Sequence, residues 1–189
     1  MRSVSLTSER MGFWQKRFPV LVLVVLLSLG LWGCEPLDPD SLRGHLETRE
    51  GQPVIVLDNG DTFQLMDEEF MGYVGHVGFD AGMMVLPGWA VDTQLRRPVT
   101  AVVVMVNDVI VASTAPDRDR DHVPEQWGEQ ANPAGFTLAI PQAMVEEAGV
   151  APELYVLREG DVNASGKLRL SSRALCVLKE HFDDPSQCA

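Results

Sequence analysis

The chain has 189 residues and a formal net charge of −12, with 27 Asp and Glu against 15 Lys and Arg. Its length is enough for one ordinary domain with a real hydrophobic core. A strongly acidic surface repels phosphate backbones, so the composition argues against a nucleic-acid partner.

An apolar run near the N-terminus indicates export. Residues 18–32 are almost uninterruptedly apolar, and they follow Arg10, Lys16 and Arg17. A run of about 15 residues is short of the roughly 20 that a membrane-spanning helix needs, but it suits the central region of a signal peptide. An uncleaved signal anchor is the alternative, and either Met1 or Met11 can be the true start.

The residues that end this run, Leu31-Trp32-Gly33-Cys34, resemble the lipobox of bacterial lipoproteins. In that family the cysteine thiol receives a diacylglyceryl group, and the chain is cleaved just before it. The resemblance implies that residues 1–33 are a lipoprotein signal peptide and that Cys34 is the lipidation site. It also implies a protein anchored through lipid to a membrane of the bacterial cell envelope, facing the periplasm or the cell exterior. The 156 mature residues would carry 11 Lys and Arg and 26 Asp and Glu, a net charge of −15.

The next residues predict a tether and then two hairpins. Residues 34–43 are polar and contain two prolines, which is typical of a short, stiff tether. The β-rich segments 53–57 and 62–66 flank a turn that contains Asn-Gly. Segments 100–106 and 109–114 are separated only by Asn-Asp, which predicts a two-residue hairpin loop. Because segment 100–106 is apolar on both faces, we expect a central strand that is covered on each side.

The rest of the chain predicts further short strands and little helix. We expect strands at 83–92, 135–140, 153–158 and 167–170. A short helix is expected at 142–148, ended by Gly149, and another helical turn within 121–130, whereas 174–182 fits either helix or strand. Many short strands predict an all-β fold, a small Ig-like β-sandwich with one or two short helices over 44–171, followed by a C-terminal tail at 172–189.

Two short motifs carry a second resemblance. "GWAVD" at 88–92 and "AGFTLAIP" at 134–141, with the Val-rich hairpin between them, are similar to a β-sandwich module of bacterial envelope and polysaccharide-related proteins. That module is typically an accessory domain, often beside glycosyltransferase domains. The resemblance implies a fold and a cell-surface context, and it implies no catalytic site.

The two remaining cysteines predict a disulfide. In an oxidising compartment Cys176 and Cys188 form an even pair that would close a loop of about 12 residues. The alternative is two unpaired thiols.

The sequence predicts no catalytic residue, no metal site and no cofactor. The acidic residues of "DRDRD" at 117–121 have the alternate spacing of a calcium loop, but His122 and Gly128 stand where that loop needs glycine and glutamate. We therefore expect a solvated charged loop. The four histidines show no metal-ligand spacing. Gly72, Gly75 and Gly78 are expected to allow a close backbone approach or a kink in a strand.

Two tryptophans have contrasting surroundings. Trp89 lies in an apolar strand segment, so we expect a buried core anchor. Trp127 lies among glutamates and glutamines, so we expect it to be at least partly exposed, and it is the candidate for a ligand contact. The sequence thus predicts a lipid-anchored, non-enzymatic envelope protein that acts as a binding or structural module for a carbohydrate or protein partner. The alternative is a small hydrolase or metal-handling lipoprotein whose site assembles from distant residues.

Overall fold

The computed structural model describes residues 37–182, and most of their regular structure is strand. The strands are β1 (Gly44–Arg49), β2 (Gln52–Leu57), β3 (Thr62–Leu65), β4 (Phe70–Val74), β5 (Gly78–Asp80), β6 (Met83–Asp92), β7 (Arg97–Pro98), β8 (Ala101–Val106), β9 (Val109–Thr114), β10 (Gly135–Pro141), β11 (Glu153–Arg158), β12 (Ala164–Lys167) and β13 (Arg169–Leu170). The helices are α1 (His122–Trp127), α2 (Gln142–Ala148) and α3 (Ser172–Phe182). The predominance of strands confirms the expectation of an all-β fold.

Seven strands form a closed barrel in the order β1-β2-β3-β12-β11-β8-β9. The barrel closes through His45 of β1, which pairs with Val109 of β9. On the opposite side β3 and β12 pair in parallel, with Ala164 beside Gln64. The expected Ig-like sandwich is therefore wrong. One sheet closes into a barrel because its first and last strands, β1 and β9, pair with each other.

A second sheet packs against one wall of this barrel. Its order is β10-β6-β4-β13, and β5 and β7 add to β6. Apolar side chains from β8 and β11 of the barrel share one core cluster with side chains from β6 and β10 of this sheet. The molecule therefore has two cores, one inside the barrel and one between the barrel and the second sheet.

Strand β8 contributes to both cores, because all six of its residues are buried. Val103 and Met105 lie inside the barrel, whereas Val102 and Val104 lie between the two sheets. The prediction of a central strand covered on both faces is confirmed.

Local turn chemistry fixes several element ends. Asn107 and Asp108 have φ of 51° and 62°, which gives the two-residue loop predicted between β8 and β9. Gly60 has φ of 93° in the turn between β2 and β3. Helix α2 ends at Gly149 in the left-handed conformation, as expected.

Residues near both ends of the described chain are built into the cores. Leu37 and Leu42, which the sequence places in the tether, pack against the cluster inside the barrel. The backbone N–H of Leu42 also donates to Ser113 Oγ at 3.0 Å. Ala174 and Leu178, on α3, lie in the core between the sheets, so the ambiguous C-terminal segment is a packed helix. No helix among residues 37–182 is long and apolar enough to span a membrane.

Candidate functional site on the second sheet

The second sheet has an inner face toward the barrel and an outer face away from it. Along β6, Met84, Leu86 and Ala90 lie in the core between the sheets. The alternating residues Trp89 and Val91 point the other way and form a separate small cluster with side chains of segment 115–134. That segment, which contains α1, therefore covers one end of the outer face.

Four rings meet there, and we call them the aromatic cluster: Tyr73, Trp89, His122 and Trp127. The Trp89 ring centroid lies 5.6 Å from that of Tyr73 and 5.1 Å from that of His122, both edge to face. The Trp127 centroid lies 5.5 Å away at a tilt of 44°. Trp89 and Trp127 are each only 8% exposed, whereas Tyr73 is 43% exposed and His122 is exposed. The cluster thus has a buried half and an accessible half.

The burial of Trp89 confirms the prediction, but the predicted exposure of Trp127 is wrong. Val123, Trp127 and Ala131 are all buried on one side of the segment around α1. Val123 and Trp127 are four residues apart on α1 and so lie on the face that packs on Trp89, while Ala131 follows in a separate turn beyond Gly128. The nearby Glu and Gln side chains face solvent. This spacing was the signal that reasoning from local polarity missed.

Glycine at position 72 lets strand β4, which carries the exposed Tyr73 ring, lie close to β6. A Cβ at Gly72 would lie 2.2 Å from the Trp89 carbonyl oxygen, so the predicted close backbone approach is confirmed there. By contrast, a Cβ at Gly78 would meet nothing within 4 Å. In the antiparallel register of β4 and β6, Tyr73 lies directly opposite Trp89.

Arg120 lies on the same face, over a second glycine. Gly135 pairs with Trp89 across β10 and β6, so both residues have the same orientation relative to the sheet. A Cβ at Gly135 would lie 2.6 Å from Arg120 Nε. The guanidinium donates from Nη2 to the Gly88 carbonyl at 2.9 Å. The Asn132 side chain bonds both the N–H and the carbonyl of Arg120, at 3.2 and 3.3 Å, and so holds its backbone in place.

Three buried polar atoms on this face have no hydrogen-bond partner among residues 37–182: Trp89 Nε1, Arg120 Nε and Thr137 Oγ1. Thr137 follows Gly135 by two residues on β10, so it has the same orientation. We call these three side chains the donor patch, because the indole and guanidinium nitrogens can only donate and the hydroxyl can also donate. A fourth such atom in residues 37–182, Glu69 Oε2, lies elsewhere and 2.6 Å from Arg158, so an ion pair accounts for it.

A strongly acidic cavity adjoins α1. It has a volume of about 620 Å³ and is lined by Asp119, Asp121, Pro124, Glu125, Glu129 and Asn132. Within the described part of the chain, its lining includes carboxylates but no serine, cysteine or histidine. Within residues 37–182, no group of three or more His, Cys, Asp or Glu is arranged to hold a metal ion.

The cysteine predictions fall largely outside this part of the chain. Cys34 and Cys188 lie outside the described residues, and Cys176 lies on α3. Lipidation at Cys34 and the Cys176–Cys188 disulfide therefore stay predictions. Comparisons with protein-family models, with curated proteins and with solved structures find no match to this chain.

Proposed function

We propose that this protein is a lipid-anchored, non-enzymatic binding module of the bacterial cell envelope, and that it binds a carbohydrate or protein partner on the outer face of its second sheet. The observation that carries the binding role is the half-exposed Tyr73 ring beside the donor patch. Exposed aromatic rings next to unused hydrogen-bond donors are typical of recognition surfaces, where the ring supplies contact area and the donors supply specificity.

The anchor and the compartment are supported by the N-terminal sequence. The short apolar run, the basic residues before it and the lipobox-like Leu31-Trp32-Gly33-Cys34 together favour a cleaved signal peptide and acylation of Cys34. Two or more acyl chains hold a protein on a membrane far more firmly than one, at about 0.8 kcal/mol per buried CH₂.

A binding role is favoured over the hydrolase and metal-handling alternative. His122 makes its ring contact with Trp89, and the acidic cavity beside it has no serine, cysteine or histidine in the lining that the described residues provide. No feature of residues 37–182 gives the alternative comparable support.

The anchor is tested by mass spectrometry of the mature N-terminus. We expect a diacylated Cys34 in the membrane fraction of the natural host, and a larger unprocessed precursor for Cys34→Ala. An intact peptide that runs through residues 30–36 in that fraction would rule out the lipoprotein proposal. Non-reducing peptide mapping of the same sample should recover Cys176 linked to Cys188, whereas two freely alkylated thiols in the folded protein would contradict the disulfide.

The binding role is tested by capture from native envelope material that includes glycan fragments. Wild-type protein is compared with Tyr73→Ala and with Val109→Ala. Val109 is a matched control because it is 51% exposed and lies in the barrel, at the β8–β9 hairpin. We expect Tyr73→Ala to lose the captured material and Val109→Ala to keep it. Equal capture by all three proteins would contradict a role for the outer face.

A further inference from the structure

We propose that the donor patch and Tyr73 together bind a neutral, hydroxyl-rich sugar ring. This inference rests on the proposed binding function and names its ligand class. It follows from the unpaired atoms, from the exposed ring and from the charge around them.

A ligand that binds the three unpaired atoms needs hydrogen-bond acceptors. A buried polar atom without a partner is costly, and native proteins contain few of them. The donor patch places three on one face of one sheet, and Trp89, which carries one, is more than nine-tenths buried. Since the indole and the Arg120 Nε can only donate, the group that completes them must present hydrogen-bond acceptors, which sugar oxygens are. Thr137 Oγ1 can donate or accept, so it suits a hydroxyl, which does both.

The exposed Tyr73 ring favours a ligand that also has an apolar face to pack on it. Tyr73 is 43% exposed, and its neighbour on the same face of β4, Met71, is 48% exposed. A sugar ring has both features, because its C–H groups form an apolar face and its hydroxyls surround that face. A small inorganic anion offers no such face and would leave Tyr73 unused.

The surrounding charge favours a neutral sugar over an acidic one. Asp119, Asp121, Glu125 and Glu129 line the adjoining cavity, on the same segment as Arg120. The Arg120 guanidinium already donates from Nη2 to the Gly88 carbonyl. A uronate or a phosphorylated sugar would meet more carboxylates than the two cations of this segment, Arg118 and Arg120, offset, and the excess of negative charge disfavours its binding.

His122 is one of the two exposed rings that pack on the buried indole, and Tyr73 is the other. The His122 imidazole is exposed, begins α1 and packs edge to face on Trp89. Since Trp89 Nε1 is buried from solvent, a ligand oxygen reaches it only when a neighbouring side chain moves, and we expect the exposed His122 ring to turn aside. The Trp89 indole N–H then gains an acceptor, so its NMR resonance should shift on binding.

The test uses the full mature, lipidated protein in a detergent without a sugar headgroup. The probes are methyl glycosides of glucose, galactose, mannose and N-acetylglucosamine, with glucuronate as the charged counterpart. Binding is followed by saturation-transfer NMR and by the Trp89 indole resonance, which is assigned with Trp89→Phe. We expect at least one neutral glycoside to bind, to shift that resonance and to bind more tightly than glucuronate.

Two variants locate the binding. Tyr73→Ala should weaken the glycoside at least tenfold. Thr137→Val keeps the shape of the side chain and removes only an unpaired hydroxyl, so it should fold normally and weaken binding about fivefold. Val109→Ala should bind like the wild type.

The outcomes separate this inference from the proposed function. If no neutral glycoside binds but capture of envelope material still depends on Tyr73, the sugar inference is wrong and a protein partner takes its place. Tighter binding of glucuronate would overturn the neutral class. If neither glycosides nor envelope capture depend on Tyr73, both the inference and the proposed binding face are wrong.

Discussion

Asp92 and Arg158 meet across the interface between the barrel and the second sheet, with Arg158 Nη1 3.2 Å from Asp92 Oδ2. Asp92 ends β6 and is fully buried, and Arg158 ends β11 and is 8% exposed. The same guanidinium nitrogen lies 2.6 Å from Glu69 Oε2, and the guanidinium lies over the Phe70 ring at 5.6 Å. The buried Arg158 cation is thus paired with two carboxylates, Asp92 at the end of β6 and Glu69 in the turn that precedes β4.

Asp92→Ala should lower the free energy of unfolding by about 3–5 kcal/mol, because removing one partner leaves a buried charge undercompensated. It also removes the acceptor of the Leu95 N–H. Asp92→Asn keeps an acceptor oxygen and should cost less, about 1–3 kcal/mol. Denaturant unfolding measures both, with the exposed Glu68→Gln as control. Equal stability of Asp92→Ala and the control would contradict the role of the pair.

Trp127→Ala should destabilise the fold as strongly as Trp89→Ala, by about 3–5 kcal/mol, because both indoles are buried in one cluster. Gln126→Ala, an exposed neighbour on the same helix, should change stability by less than about 0.5 kcal/mol. Denaturant melts compare the three variants. A Trp127→Ala protein as stable as Gln126→Ala would mean that α1 does not pack on the sheet in solution.

The contact between the two indoles should also appear as coupling. Trp89→Phe and Trp127→Phe are milder changes that leave enough stability to measure. We expect their combined effect on the free energy of unfolding to differ from the sum by about 0.5–1.5 kcal/mol, since aromatic pairs interact beyond their buried area. Strict additivity in this double-mutant cycle would argue against the contact.

Gly72→Ala should cost about 3 kcal/mol or more, because its Cβ would lie 2.2 Å from the Trp89 carbonyl oxygen and β4 would have to move away from β6. Gly78→Ala is the matched control, since its Cβ meets nothing within 4 Å. We expect the control to stay within about 0.5 kcal/mol of the wild type in thermal or denaturant unfolding. Similar losses for both variants would show that the cost comes from replacing glycine rather than from the close approach.

Val103→Ala and Val104→Ala should each cost about 2 kcal/mol, because each removes two methyl groups from a fully buried side chain. The two residues are adjacent, yet one opens a cavity inside the barrel and the other opens a cavity between the sheets. Val109→Ala on the same hairpin is the exposed control. A large effect at only one of the two sites would mean that β8 has one buried face instead of two.

Strands with a strong local pattern were predicted closely. The predicted bounds of β6, β9, β11 and helix α2 match the structure, because apolar periodicity and turn residues mark their ends in the sequence itself. Strand β1 was missed because "GHLETR" is mostly polar, and it is a strand because it pairs along its whole length with β2.

The closure of the barrel could not be predicted in the same way. It depends on pairing between residues far apart in the chain, such as Ala164 with Gln64 and His45 with Val109. No local pattern encodes such a pairing, and a set of short strands is compatible with a sandwich and with a barrel alike. The donor patch likewise depends on residues far apart in the chain, because the path of segment 115–134 places Arg120 over Gly135, which pairs with Trp89 in the strand register.

Strand β8, apolar on both faces, is also a segment that is prone to aggregation when the protein unfolds. "AVVVMV" has high β-propensity, no charge and no proline, which are the features of segments that assemble into intermolecular sheets. The native fold hides both of its faces, and the polar Asn107-Asp108 turn at its end limits its extension. When a core variant unfolds, we expect this segment to be exposed. Aggregation should then compete with refolding, so the yield of soluble protein should fall for core variants.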